Sequence, residues 1–141
     1  MLTLELQHEP NPFDVDAVRR GLREASEASA GVAQEAWPLS LILRDEAGRA
    51  AGGAVGIAYW GWLFIDMLWV REDLRGLGWG SRLLDGAEAE PRRRGATGVW
   101  LDTFSFQARP FYEARGYVLF GEIGDHPPGH RRYFLRKSFA A

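Results

Sequence analysis

Three glycines spaced by one residue, Gly76, Gly78 and Gly80, lie between Arg75 and Ser81, where an apolar run ends and a helical pattern begins. Glycine lets the backbone turn successive N–H groups toward one point without a Cβ in the way. A helix start adds unpaired N–H donors and partial positive charge, so the stretch from Arg75 through Gly76, Leu77, Gly78, Trp79 and Gly80 to Ser81 suits a diphosphate. Arg75 contributes a planar, permanently charged donor fork. A nucleotide P-loop needs Lys and then Ser or Thr after its last glycine, whereas Ser81 and Arg82 follow Gly80 here. The dinucleotide fingerprint needs a different glycine spacing. The competing reading is a turn rich in glycine only to pack a helix against a sheet.

Two carboxylates stand in apolar surroundings. Asp66 interrupts Leu63-Phe64-Ile65-Asp66-Met67-Leu68-Trp69-Val70, where an unpartnered charge would be expensive. A charge in such a run is a hint of function, and the alternative is an ion pair with an arginine of the sheet. Asp102, one strand further on, could share that function. His126 and His130 flank Pro127-Pro128-Gly129; with only Asp125 nearby they read as a surface loop, so no metal site is expected. Trp60, Trp62 and Trp69 read as core or dimer surface, with an aromatic lining for a cationic amine as the alternative.

The elements that must position these groups follow from periodicity. Leu2, Leu4 and Leu6 alternate with polar residues as in a strand. Asn11-Pro12-Phe13-Asp14 has the composition of a helix start. Val15, Val18, Leu22 and Ala25 follow as its apolar stripe, and residues 25–33 form a second short helix or a loop. Strands are expected over 41–43, 54–60 and 63–70, joined by short turns as a meander. A helix opens at Ser81 with Leu83, Leu84 and Ala87 on one face, and Pro91 should distort it or end it early. Strand 99–103, helix 107–115 and a final strand pair, 117–123 and 132–139, complete a mixed sheet with helices packed on it.

Bulk properties narrow the classes. The chain has 141 residues, 46% of them apolar, with 17 basic and 19 acidic residues, a net charge of −2. That fits one domain over residues 1–141 and argues against a nucleic-acid partner, which normally requires a basic face. No apolar run approaches a membrane span of roughly 20 residues, and the start lacks the order of a signal peptide. The expectation is a cytoplasmic protein with no membrane partner. The absence of cysteine excludes a disulfide framework, a thiolate zinc site and a thiol nucleophile.

The chain resembles the GCN5-related N-acetyltransferases. Arg75, Gly78 and Gly80 match that family's signature of Arg or Gln, two residues, Gly, one residue, then Gly or Ala. Leu68-x-Val70, with Val70 five residues before Arg75, fits as well, as does Ala108-x-x-Phe111-Tyr112-Glu113-x-x-Gly116-Tyr117. The likeness covers 38–139 well and the first 37 residues by element order alone. It implies an α/β fold with a mixed, mostly antiparallel sheet of six to seven strands and three to four flanking helices.

The resemblance further implies an acetyl-CoA site between two splayed parallel strands. Backbone groups of Leu68, Trp69 and Val70 would pair with the pantetheine arm, and N–H groups from Gly76 to Ser81 would hold the pyrophosphate. Ser105 stands where the family usually carries Asn against that arm, and Trp79 where it carries a smaller aliphatic residue. Tyr112 occupies the family's general-acid position, the alternative being a core aromatic beside Phe111 and Tyr117. Asp66 coincides with an acid that some members use to order water or hold a cationic substrate. The implied reaction is direct attack of a primary amine, expected on a small molecule, on acetyl-CoA. The alternatives are acetylation of a protein amine or a silent acyl-CoA-binding module. Exposed strands make a homodimer an open expectation.

Overall fold

The computed structural model describes residues 1–139. Contacts group the chain into two units, residues 1–35 and the remainder from residue 36 onward. In the first unit, α1 (Pro12–Ala30) starts as its sequence requires. The Asn11 side chain accepts from the N–H groups of Phe13 and Asp14, Pro12 opens the first turn, and Gly31 closes the helix in the left-handed conformation. The stretch 25–33 is therefore mainly the end of this helix rather than a second one. The alternating segment 2–7 forms no strand; alternation is a local property, and a ladder also needs a partner. Gln7 instead bonds Asp14 and accepts from the Asn11 N–H.

The second unit is a six-stranded sheet built from β1 (Trp37–Arg44), β2 (Ala50–Tyr59), β3 (Trp62–Val70), β4 (Gly98–Phe104), β5 (Val118–Gly124) and β6 (Arg131–Ser138). The strand order is β1-β2-β3-β4-β6-β5. Every pairing is antiparallel except β3 with β4. That parallel step needs a crossover, and α2 (Trp79–Arg93) supplies it. A 3-10 turn (Glu72–Leu74) precedes α2, and α3 (Arg109–Ala114) joins β4 to β5.

One face of the sheet carries the core. Leu63, Leu84, Leu101, Leu135 and Val99 are its largest fully buried side chains, each such burial contributing roughly 1.5–3 kcal/mol. Leu84 comes from the inner face of α2, together with Leu83, Ala87, Glu88 and Pro91. Pro91 neither breaks nor shortens α2, which continues to Arg93, and the buried ring packs in the core. Alternation then sorts β4: Val99, Leu101 and Thr103 point inward, and Trp100, Asp102 and Phe104 point to the opposite face.

The decisive irregularity lies in β3. Its register on β2 passes from Val55 opposite Met67 to Gly56 opposite Ile65, so Asp66 is an extra residue, a β-bulge. The bulge reverses the alternation. Leu63 and Ile65 are buried before it, while Leu68 packs on the core and Met67 and Trp69 are exposed after it. The ladder between β3 and β4 ends at the same point, with Ile65 opposite Leu101 as its last pair. β3 continues to Val70 along β2, and β4 continues to Phe104 along β6, so the two parallel strands part and leave an open seam.

Gly56 makes this possible. A Cβ at residue 56 would stand 2.1 Å from the Phe64 carbonyl oxygen, far inside any contact distance. Gly56→Ala should therefore force β2 and β3 apart and destabilise the fold by about 2–3 kcal/mol, read as a lower midpoint in urea unfolding with the slope unchanged.

Candidate active site

The seam presents strand edges without partners. The Arg71 N–H bonds the Ala51 carbonyl on β2, so alternation turns the polar groups of Trp69 toward β2 and those of Leu68 and Val70 toward the seam. Of the three backbone contacts expected in β3, two face the opening. The Val70 carbonyl is already occupied: Arg75 Nε donates to it at 2.9 Å. Arg75 thus straps the loop to the end of β3 before acting on any ligand.

The glycine loop runs directly into α2. Gly78, with φ of 87°, is the N-cap, so the helix opens at Trp79, two residues before Ser81. Only a residue without Cβ adopts this left-handed turn at little energetic expense. The first helical bond runs from the Arg82 N–H to the Gly78 carbonyl at 3.1 Å. The N–H groups of Trp79, Gly80 and Ser81 precede it and lack helical acceptors. A Cβ on Gly76 or Gly78 would meet nothing within 4 Å, whereas one on Gly80 would touch the Phe111 ring at 3.5 Å. Gly80 thus packs the helix start on α3, as the packing reading expects, while Gly76 and Gly78 border open space. Trp79 carries the Arg82 guanidinium over its ring at 4.2 Å. Leu77 is exposed.

Two arginines unremarked in the sequence hold this region. Arg71 pairs with Asp45 at 2.9 Å and Asp73 at 2.6 Å, tying the β1–β2 turn to the 3-10 turn, and its hydrogen bonds hold both carboxyls below their usual range. Arg115, just past α3, donates to Ser81 Oγ at 2.9 Å and Asp85 at 2.7 Å, so α3 grips the first turns of α2. Apart from Asp73, two residues from Arg71, their partners are 26 to 34 residues away in sequence, too far for local spacing to reveal.

Tyr112 lies on α3 with its ring in the core, edge-on to Phe111 and Tyr117. Among the described residues no group bonds its hydroxyl. Burial first, and the Asp102 charge second, push this phenol up to about 12. Tyr117 beside it donates to Glu88 at 2.8 Å, and Lys137 reaches the same buried carboxylate at 2.9 Å. Burial and the Glu88 charge drive Tyr117 well above the usual phenol range.

The structure separates the two carboxylates, and the burial expected of Asp66 is not found. Asp66 is exposed at the bulge, with no hydrogen bond or ion pair among the described residues. Asp102 is the one that pairs with a sheet arginine, bonding Arg132 at 3.0 and 2.8 Å. Ser105 is committed to the backbone, bonding Arg131 through its N–H and Oγ, and lies 3.4 Å from His130 Nδ1. His126 lies 3.5 Å from Arg132 Nη1.

A thioester donor with a diphosphate tail requires a strand edge for its amide-bearing arm and clustered N–H donors for its phosphates. The seam and the start of α2 present both kinds of group, the layout of an acyl-CoA-dependent transferase, and the comparisons with known proteins agree in class. Residues 4–117 match the family described as "Acetyltransferase (GNAT) family". Blasticidin-S acetyltransferase of Streptomyces morookaense is 46% identical over 107 residues, 73% of this chain and 79% of the relative. An acetyltransferase of Agrobacterium fabrum is 36% identical over 101 residues, covering 72% and 74%. A crystal structure of an acetyltransferase from Bacillus cereus superposes with a TM-score of 0.84 at 32% identity, over 96% of this chain and 98% of that one. The chain belongs to the GNAT acetyltransferase family and is an acetyl-CoA-dependent N-acetyltransferase.

The raised Tyr112 value has a thermodynamic consequence. A phenol harder to ionise folded, at about 12, than unfolded, at 10.0, leaves stability unaffected below pH 10 and removes it as pH rises toward 12. Urea unfolding between pH 9 and 11.5 should show a steeper loss for the wild type than for Tyr112→Phe.

Proposed function

We propose that this enzyme acetylates the primary amine of a small molecule by direct attack on acetyl-CoA. The observation that carries the reading is the seam between β3 and β4, which opens at Asp66 beside the glycine-bordered start of α2. The small acceptor is supported by the 46% identical relative, named for its action on blasticidin S. The residues fit acetyl-CoA: Leu68 and Val70 offer seam-facing backbone groups, and the N–H groups of Trp79, Gly80 and Ser81 lack helical acceptors. Bound there, acetyl-CoA supplies an activated acetyl group and a thiolate leaving group.

The chain contributes three things to that chemistry. Tyr112 Oη holds a proton throughout the neutral range and so has one to donate, the contribution expected of a general acid. Asp66 places an exposed negative charge at the bulge, which draws an ammonium group toward the seam and accepts its proton through water. The seam-facing Leu68 and Val70 N–H groups are donors for negative charge that develops on an acyl oxygen. Asp102 acts differently, since its carboxylate is committed to Arg132. Its charge helps keep the Tyr112 proton in place.

Isothermal titration should give micromolar affinity for acetyl-CoA and none for ATP or NAD. Gly78→Glu, which places a carboxylate at the helix start, should abolish that affinity; retained binding would locate the phosphates elsewhere. Tyr112→Phe should keep acetyl-CoA affinity and lower kcat about a hundredfold, measured by thiol release, and an unchanged kcat would remove Tyr112 from the mechanism.

A further inference from the structure

The sheet face opposite α2 carries an unusual group of rings at the end of β4. Phe104 and Phe106 lie nearly parallel, with centroids 5.5 Å apart and planes 12° from one another. His126 meets Phe104 edge-on at 5.3 Å, and His130 meets Phe106 edge-on at 5.0 Å. The outer ring, Phe106, is 57% exposed. An isolated exposed phenyl needs no explanation, but a parallel pair with two rings set against it is an ordered surface, fixed by the backbone bonds between Ser105 and Arg131 and between His126 and His130.

Its position gives it meaning. β4 loses its β3 partner after Leu101, so Phe104 and Phe106 lie just beyond the point where the seam opens. Alternation puts Phe104 on the outward face, where Trp69, 50% exposed, also points from β3. Asp66 offers its charge at the opening between the two strands. Each histidine uses one ring nitrogen internally, His126 Nε2 toward Arg132 and His130 Nδ1 toward Ser105. Among the described residues no hydrogen bond engages the second nitrogen of either ring, each a donor or acceptor in its own right.

Resting on the acetyltransferase reading above, we propose that the acceptor carries a flat, conjugated ring beside its amine, and that the ledge formed by Phe104 and Phe106 seats that ring. Offset stacking on Phe106 selects for planarity, because a saturated ring of equal volume cannot bring its atoms into the same close contact. Histidine nitrogens at the edge favour a heteroaromatic ring over a plain hydrocarbon one. Asp66 completes the match by drawing the ammonium toward the seam.

The test compares 4-(aminomethyl)pyridine with cyclohexylmethylamine, two amines of similar size that differ in planarity, by thiol release at saturating acetyl-CoA. The flat amine should show a kcat/KM about tenfold higher, carried in KM. In Phe106→Ala that ratio should fall toward one, and Phe106→Trp should restore it, with acetyl-CoA affinity by titration the same in all three proteins. Equal use of the two amines, use of neither, or an undiminished ratio in Phe106→Ala overturns the proposal while acetyl-CoA binding stands. Failure of the wild-type protein to bind acetyl-CoA overturns the parent reading and this one together.

Discussion

The whole site depends on one close approach between two strands. Gly56 lets the Phe64 carbonyl come nearer than any side chain would allow, and β3 takes up its extra residue opposite that point. Because the bulge turns β3, the parallel ladder with β4 stops after Ile65 and Leu101. The backbone groups past that pair have no ladder partner across the seam, and unpaired groups of this kind are the most ligand-seeking surface a sheet possesses. A bulge that would be a defect in an ordinary sheet is here the origin of an open strand edge.

The machinery around the opening is held by polar contacts between elements distant in sequence. Arg115 fastens α3 to α2 at Ser81 and Asp85, and Glu88 gathers Tyr117, Lys137 and Arg92 beneath the same helix. A carboxylate as buried as Glu88 is tolerated only because its partners converge on it. Through Tyr117 this network braces the Tyr112 ring, while no group among the described residues bonds the Tyr112 hydroxyl. Support of the ring and commitment of the hydroxyl are thus separate matters within one side chain.

Much of this was legible in the residues, and what was not has definite causes. The six strands lie close to where alternation and turns predict them, and the glycine run does lead into a helix. Asp66 was misread because strict alternation admits no extra residue. Continued through 63–70, it would bury Met67 and Trp69, which are exposed, and its apolar flanks suggested burial for a carboxylate that is open. The missing clue was on the neighbouring strand, where Gly52, Gly53 and Gly56 mark close backbone approach. The arginine expected for Asp66 belongs to Asp102 instead, because β6 brings Arg132 to it from 30 residues away. The strand expected at 2–6 failed for a similar reason, as pairing is a long-range fact that a local pattern cannot supply.

Asp66, being the extra residue of the bulge, belongs to neither face of β3. Residues on both sides of it are constrained, inward by packing density and outward by cross-strand neighbours. A substitution at Asp66 disturbs neither set, since the side chain is exposed and among the described residues makes no bond that would be lost. The fold thus contains a position where charge, size and polarity can be exchanged at little risk to folding, directly where the two parallel strands part. Variation there needs none of the compensating changes that a substitution in the core would require.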